Sequence, residues 1–192
     1  MDFISGFSDA IKPETKQALF EYRYKVFIER LGWDMATQNG IEIDQFDHDG
    51  TFHIIANSPE GEVVGCARLL PTTKPYLLED VFPELLNGQP APKSDDVWEL
   101  SRFTTVNLNT QQKTQGAMQA QLPHETLQNL LYKAMACAKE NGAKMIISVS
   151  PLGIERLLRN LGVPSKRMGP PLLIDGHKLI ACLIAIPENL TL

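Results

Sequence analysis

The stretch VWELSRFTT, residues 97–105, reads as a buried β-strand that carries two charged side chains three residues apart. Its aromatic and aliphatic residues favour burial, whereas the carboxylate of Glu99 and the guanidinium of Arg102 do not. Strict alternation along a strand places Glu99 and Arg102 on opposite faces, because side chains repeat every two residues. The two charges can share a site only if a β-bulge near residues 100–101 redirects one of them, and bulges are common beside active sites.

The rest of the chain predicts a mixed α/β arrangement. Residues 33–50 and the Gln-rich stretch 106–121 are predicted as loops, and a short helix is predicted to break at Pro83. A hairpin followed by β-α-β units is typical of a mixed sheet with helices on its faces. The pattern predicts helices over 13–31, 123–141 and 153–162, a hairpin over 52–57 and 62–71, and strands over 97–105, 144–150 and 178–187.

Composition excludes several classes of protein. The length of 192 residues favours one domain spanning 1–192, and the net charge of −5 argues against a general nucleic-acid binder. Three isolated cysteines and four histidines without ligand spacing predict neither a disulfide framework nor a metal site. The first residues lack the features of a signal peptide, and no apolar run is long enough to span a bilayer, so we expect a cytoplasmic protein without membrane attachment.

A set of charged residues lies in positions that an ordinary scaffold rarely offers. Such side chains are seldom buried unless they are paired. An ion-pair network that ties the N-terminal helix and its loop to the sheet is one explanation, and the physics alone favours it. A catalytic site is the other, since buried ion pairs contribute little net stability. The residues are Arg23, Asp44, Asp47, Arg68, Glu99 and Arg102.

The same residues form an ordered set of motifs that resembles the acyl-homoserine-lactone synthases of the LuxI type. Each motif alone is weak, but the ordered set is specific, and the resemblance extends along almost the whole chain. In chain order, the motifs are R-x-x-x-F at Arg23 and Phe27, then Trp33, D-x-x-D at Asp44 and Asp47, Arg68 in a strand, and E-x-x-R-F at Glu99, Arg102 and Phe103.

The resemblance implies the fold of the GCN5-related N-acetyltransferases, which is a twisted mixed sheet flanked by helices with a V-shaped split between central strands. The reaction implied has two parts. The amine of S-adenosylmethionine attacks an acyl thioester on acyl carrier protein, and the methionyl carboxylate then closes a lactone and expels 5′-methylthioadenosine. S-adenosylmethionine is a substrate here, so no cofactor is expected. The acyl-CoA loop of the acetyltransferases, Q/R-x-x-G-x-G/A, has no clear copy after residue 150, which favours a carrier-protein donor.

The resemblance also assigns roles. The substrate ammonium must lose a proton, and a partly buried carboxylate can accept it directly or through water. Glu99 is the expected base, with Asp47 as an orienting or alternative acid. Three arginines are expected to bind S-adenosylmethionine and to form the charge network, because their planar donors suit carboxylates: Arg23, Arg68 and Arg102. The other residues expected at this site are Phe27, Trp33, Asp44, Ser101 and Phe103.

An apolar tunnel is expected for the acyl chain, although each of its candidate residues could be ordinary core. Ser148 stands where a threonine accompanies 3-oxo substrates in the family, so unsubstituted or 3-hydroxy chains are favoured. A basic surface is expected to bind the acidic carrier protein, with a solvated helix face as the alternative. The tunnel candidates are Leu100, Met145, Ile147, Ser148, Leu152, Leu157 and Leu179, and the basic candidates are Arg156, Arg159, Lys166 and Arg167.

Two other functions compete with the synthase. One is an N-acetyltransferase-like enzyme that uses an acyl-CoA donor on another amine. It would not need the residues at Arg23, Asp44 and Asp47, and it would be expected to carry the missing loop. The other is a non-catalytic sheet domain that binds an adenosyl ligand or a protein partner. Acyl length, the oxidation state at C3, the donor in the cell and the oligomeric state are left open by the sequence.

Overall fold

The computed structural model describes residues 1–37, 39–108 and 124–190. The chain forms two compact units, the first made of Met1–Arg68 and Arg102–Leu131, and the second of Leu69–Ser101 and Tyr132–Leu192. The single domain expected over 1–192 remains a prediction. None of the helices in the described ranges is long and apolar enough to cross a membrane.

The described elements include both strands and helices along the chain, as predicted for an α/β protein. In chain order they are β1 (Asp2–Phe7), α1 (Pro13–Arg23), a π-helix (Tyr24–Arg30), β2 (Phe52–Asn57), β3 (Val63–Pro71), α2 (Leu77–Asp80), a 3₁₀ turn (Pro83–Leu86), β4 (Val97–Thr105), α3 (His124–Glu140), β5 (Met145–Pro151), α4 (Gly153–Asn160), β6 (Ser165–Arg167), β7 (Leu172–Ile174) and β8 (His177–Ala185).

The first unit packs α1 and the π-helix onto β2, β3 and the end of β4. The N–H of Leu31 bonds to the carbonyl of Val26, five residues back, at 3.0 Å. The helix then ends, as predicted, at Gly32, whose φ of +70° favours glycine. The core cluster beneath these helices contains Leu19, Tyr22, Val26, Phe27, Ile55, Cys66 and Val106.

Strand β1 was not predicted. It runs antiparallel to β2, from the pair Asp2–Asn57 to the pair Phe7–Phe52. Its sequence, DFISGF, contains serine and glycine and carries no clear alternation. Its strand conformation therefore depends on the partner that β2 supplies.

The second unit is built on β4, β5 and β8. The ladder between β4 and β5 is parallel and runs from Val97–Met145 to Leu100–Ser148. Strand β5 continues to Pro151 beyond this ladder and pairs with β8 in the antiparallel sense. A parallel ladder that stops while β5 continues agrees with the predicted split between central strands.

Strands β6 and β7 both pair with β8, and neither was predicted. Each has three residues, which is too short for a hydrophobic period to show. The mixed sheet and the flanking helices are confirmed. The predicted helix start at Pro123 and most of the predicted loop, residues 109–121, lie outside the described residues.

Strand β4 contains the predicted interruption. Arg102 has a φ of +52°, which is unusual for a residue other than glycine and breaks the pleat. The break falls one residue later than the expected position at 100–101. The carbonyl of Arg102 accepts a bond from the Cys66 thiol at 3.2 Å. Burial raises the pKa of Cys66 to about 12, so the thiol keeps its proton and remains a donor.

Candidate active site

A buried cluster of arginines and carboxylates begins with Arg23, near the end of α1. Its Nε donates to Oε2 of Glu42 at 2.5 Å. Its two terminal nitrogens donate to the two carboxylate oxygens of Asp47, each at 2.8 Å. This two-pronged geometry uses the planar guanidinium fully and fixes the loop that carries Asp47 against α1.

Arg68 and Arg102 complete the cluster. Arg68 donates from Nη1 and Nη2 to the two oxygens of Asp44, at 2.5 and 3.0 Å, and its Nη1 lies 3.2 Å from Oδ2 of Asp47. Arg102 donates from Nη2 to Oε1 of Glu42 at 2.9 Å and to Oδ2 of Asp44 at 2.7 Å. Each carboxylate therefore contacts two arginines, and the formal charges sum to zero. We call these six residues the arginine–carboxylate cluster.

Glu42 is the member that the sequence analysis missed. Its side chain is fully buried, and its backbone N–H bonds to the carbonyl of Phe20 at 3.2 Å. The available signal was the alternation IEID over residues 41–44, which directs both acids to one side and leaves Ile43 46% exposed. The sequence predicts a loop over residues 33–50 and takes Trp33, Asp44 and Asp47 from it as site residues, but not Glu42.

Glu99, the expected base, has well-defined backbone partners. Its Oε2 accepts the N–H of Leu77 at 2.9 Å, and its Oε1 accepts the N–H of Leu78 at 2.7 Å. These are donors of the first turn of α2, which has no bond from a capping side chain at Tyr76. A fully buried carboxylate from β4 thus satisfies N–H groups that a helix start leaves unpaired.

The neighbouring arginines lower the pKa values of two carboxylates of the arginine–carboxylate cluster, Asp47 and Glu42. Burial opposes the charged form of Asp47, but the hydrogen bonds and charge of Arg23, and the charge of Arg68, outweigh it and hold the pKa of Asp47 below its usual range. Burial likewise opposes ionisation of Glu42, and Arg102 and Arg23 still lower its pKa. A carboxylate with a depressed pKa is a weak base, so Asp47 suits an orienting role better than proton removal.

Aromatic rings cover the guanidinium groups. The N–H of Trp33 bonds to the carbonyl of Phe27 at 2.9 Å, and the two rings stack with centroids 4.6 Å apart and planes 28° from parallel. The Cζ atom of Arg102 lies 5.5 Å from the Phe27 centroid and 5.2 Å from that of Trp33. Two rings that were not predicted cover the other arginines, Phe20 over Arg23 and Phe46 over Arg68.

The remaining predicted substrate-site residues, Ser101 and Phe103, both lie on β4. The side chain of Ser101 is buried, and that of Phe103 is half-buried. Across the described residues, no group of three histidine, cysteine or acidic side chains is placed to hold a metal ion.

The predicted tunnel residues of β5 and its neighbours divide between two faces of the sheet. Residues paired across a ladder share a face, so Leu100, Ser148 and Cys182 form one row. Glu99 and Ile147 are paired on the other face. The face of Ile147 also carries Met145 and Leu179, both half-buried, while Leu152 is half-buried and Leu157 buried in or beside α4.

The predicted basic surface is exposed, but part of its charge is offset. Arg156 and Arg159 are exposed on α4, and Lys166 is exposed in β6. Arg167 forms an ion pair with Glu155 through both Nε and Nη2. Of the four predicted cations, Arg156, Arg159 and Lys166 therefore remain the better sources of positive charge.

Comparison with known proteins gives the same family as the motifs. The family model described as autoinducer synthase matches residues 9–190. The acyl-homoserine-lactone synthase of Acinetobacter nosocomialis is 44% identical over 186 residues, covering 97% of this chain and 100% of that protein.

Solved structures extend the comparison to the fold. The crystal structure of TofI in a ternary complex with an inhibitor and MTA has a TM-score of 0.84 at 37% identity, covering 99% of this chain and 94% of TofI. MesI, a CoA-dependent acyl-homoserine lactone synthase, has a TM-score of 0.81 at 25% identity, covering 97% and 90%. A putative N-acetyltransferase from Lactobacillus plantarum shares the fold alone, with a TM-score of 0.61 at 17% identity over 97% and 100%.

The predicted family and fold are confirmed by the match over residues 9–190 and by the relatives that cover nearly the whole chain. The chain belongs to the autoinducer synthase family, and it is an acyltransferase with the mixed α/β fold found also in N-acetyltransferases.

Proposed function

We propose that this protein joins an acyl group from acyl carrier protein to the amine of S-adenosylmethionine and then closes the lactone. The C–S bond of the thioester breaks as the amide forms, so the products are an N-acyl-L-homoserine lactone, 5′-methylthioadenosine and acyl carrier protein with its free thiol. The observation that carries the proposal is the arginine–carboxylate cluster beside the stacked rings of Phe27 and Trp33. A zwitterionic, adenosyl-bearing substrate needs both ion-pairing groups and aromatic surface. The relative TofI holds MTA in its crystal structure.

The amide-forming step needs a group that removes a proton. At neutral pH the substrate amine is mostly an ammonium, and its lone pair attacks the thioester carbon only after deprotonation. Glu99 is the proposed base, directly or through a water molecule. Each of its oxygens accepts one backbone N–H, which holds the carboxylate in one orientation. Asp47 is assigned to orientation of Arg23, because its pKa is depressed.

The lactone-forming step balances without a further reactant. The methionyl carboxylate oxygen bonds to its own γ-carbon, the bond from that carbon to sulfur breaks, and its electron pair neutralises the sulfonium. The arginines are proposed to bind this carboxylate during acyl transfer, because guanidinium groups suit carboxylates. The oxyanion of the first step would be stabilised by backbone N–H groups along the split of the sheet.

The carrier-protein donor is supported by the exposed positive charges on Arg156, Arg159 and Lys166. An acidic partner is attracted to such a surface, and the attraction weakens with salt. A CoA donor is the second candidate, and the likeness to the CoA-dependent MesI at 25% identity favours it. A preference for unsubstituted or 3-hydroxy chains is proposed from Ser148, whose buried hydroxyl accepts a hydrogen bond from Ser150 at 3.1 Å.

A mass-spectrometric assay tests the proposed function directly. The purified protein is incubated with S-adenosylmethionine and a panel of acyl carrier protein and CoA thioesters that vary in chain length and at C3. The proposal predicts that methylthioadenosine and one acyl-homoserine lactone rise together with a carrier-protein thioester. Products from CoA thioesters alone would establish the second candidate. Absence of both products from a folded sample with every thioester would contradict the synthase function.

A further inference from the structure

Arg102 reaches its place in the arginine–carboxylate cluster through an unusual backbone conformation. Its φ of +52° lies in the left-handed region, which residues with a Cβ rarely adopt. A return to the extended region, with φ at about −120°, would rotate the chain by roughly 170° about the N–Cα bond. This rotation would carry the guanidinium away from Oε1 of Glu42 and Oδ2 of Asp44, which it contacts at 2.9 and 2.7 Å. The position of the guanidinium therefore depends on the backbone conformation.

The side chain of Cys66 contacts the backbone at this point. Its thiol donates to the carbonyl oxygen of Arg102, with 3.2 Å between sulfur and oxygen. The side chain of Cys66 is buried, and burial raises the pKa of its thiol to about 12, so the donor proton is present at neutral pH. An S–H group is a weak donor. The bond nevertheless fixes the peptide group that follows Arg102 and so opposes relaxation of its φ.

A second side chain holds the same segment of backbone at Val106. The hydroxyl of Tyr22 accepts the N–H of Val106 at 2.9 Å and donates to the carbonyl oxygen of the same residue at 3.1 Å. The N–H of Val106 also bonds to the carbonyl of Val64 at 2.9 Å. Tyr22, Cys66 and Val106 belong to one buried core cluster. The segment from Arg102 to Val106 is thus fixed at both ends, at its first residue by a thiol and at its last by a phenol.

We propose that Cys66 is a positioning residue for S-adenosylmethionine binding, because its thiol keeps Arg102 in the left-handed conformation that places the guanidinium in the cluster. Cys66 contacts no substrate in this role and transfers no proton; it acts through the backbone of Arg102. The inference rests on the proposed function, because it requires S-adenosylmethionine to bind at the arginine–carboxylate cluster. Loss of the donor will weaken binding of an adenosyl amino acid, and a hydroxyl at position 66 will restore it.

Isothermal titration calorimetry with S-adenosylhomocysteine measures the effect on the site without a turnover assay. Cys66→Ala removes the donor, Cys66→Ser keeps a hydroxyl donor, and both substitutions reduce the volume of the side chain. Cys137→Ala is the matched control, because Cys137 is an equally buried thiol that lies on α3. We expect Cys66→Ala to weaken binding about 5-fold, which corresponds to one neutral hydrogen bond. Cys66→Ser and Cys137→Ala should each weaken it less than about 2-fold.

The Nε–H signal of Arg102 in a ¹H–¹⁵N NMR spectrum reports on the guanidinium directly. It is assigned as the signal that Arg102→Lys removes. Because Nε of Arg102 donates to Glu42, the signal depends on where the guanidinium lies. We expect it to shift in Cys66→Ala, to shift less in Cys66→Ser and to stay in place in Cys137→Ala.

Three results would overturn the proposal: equal losses of affinity in Cys66→Ala and Cys66→Ser, an equal loss in Cys137→Ala, or an Arg102 signal that does not move in Cys66→Ala. If Cys66→Ala does not fold, Cys66→Val repeats the test, because valine fills the volume and lacks a donor. Failure of the unmodified protein to bind S-adenosylhomocysteine would instead count against the proposed function. The NMR comparison would then still decide whether Cys66 positions Arg102.

Discussion

Glu42→Gln removes one negative charge from the arginine–carboxylate cluster with almost no change in shape. In the native protein, Oε2 of Glu42 accepts Nε of Arg23 at 2.5 Å, and Oε1 accepts Nη2 of Arg102 at 2.9 Å. A glutamine side chain keeps one of these acceptors and turns an NH₂ group toward a guanidinium donor in place of the other. The cluster then holds three positive and two negative charges, with the Glu42 side chain fully buried.

The cost follows from leaving a buried charge without its partner. Breaking a buried ion pair in this way costs roughly 3–5 kcal/mol, against a total stability of about 5–15 kcal/mol for a domain. With a urea dependence of about 2 kcal/mol per molar, the unfolding midpoint should fall by about 2 M. The measurement is urea denaturation at pH 7, followed by circular dichroism and by tryptophan fluorescence.

Glu155→Gln is the matched control, because Glu155 also pairs with an arginine but at the surface. Its loss should cost less than about 1 kcal/mol, as for other exposed ion pairs. If Glu42→Gln lowers the free energy of unfolding by no more than this control does, then charge balance in the cluster does not stabilise the fold. The reasoning about Glu42 would then be wrong.

Three further predictions concern pH, the expected base and the carrier surface. Glu42 and Asp47 have folded pKa values below their unfolded ones, so their stabilising contribution is present above the unfolded pKa values of about 4 and is lost as pH falls through the folded values. The urea midpoint should therefore stay constant from pH 7 to about pH 5 and decrease at pH values below about 4. A midpoint unchanged at pH 3 would contradict this. Glu99→Gln should destabilise the protein by about 1.5–3 kcal/mol, since it replaces a charged acceptor of two α2 amides. Product formation per folded molecule should fall by a factor of at least about 10². Full activity in the folded fraction would show that Glu99 has a structural role only. Arg156→Glu should raise the KM for acyl carrier protein about 3–10-fold at low salt and leave the KM for S-adenosylmethionine unchanged. At about 1 M salt the substitution should no longer change the KM for acyl carrier protein. Equal shifts in both KM values would exclude a docking role for Arg156.

The order of the motifs and the hydrophobic periods were sufficient to predict the family, the mixed sheet and most element bounds. Strand β4 begins and ends at the predicted residues, and the first helix ends at Gly32 as expected. These features are local, because alternation, helix-ending glycines and motif spacing are written in neighbouring residues. The burial of Arg23 and Arg68 followed from their positions within apolar elements, and the structure pairs them with Asp47 and Asp44.

Only the tertiary structure decided which acid completes the cluster and what holds Glu99. Glu42 lies in a loop, and its burial depends on Arg23 and Arg102, which are 19 and 60 residues away in the chain. The N–H groups that bind Glu99 belong to α2, more than 20 residues earlier. The hydrophobic period of a sequence shows which face of an element is buried. The partner of a buried charge is decided by non-local packing. The reason is that the desolvation of a buried side chain must be offset by the opposite charge or hydrogen-bond donor that the fold brings within reach.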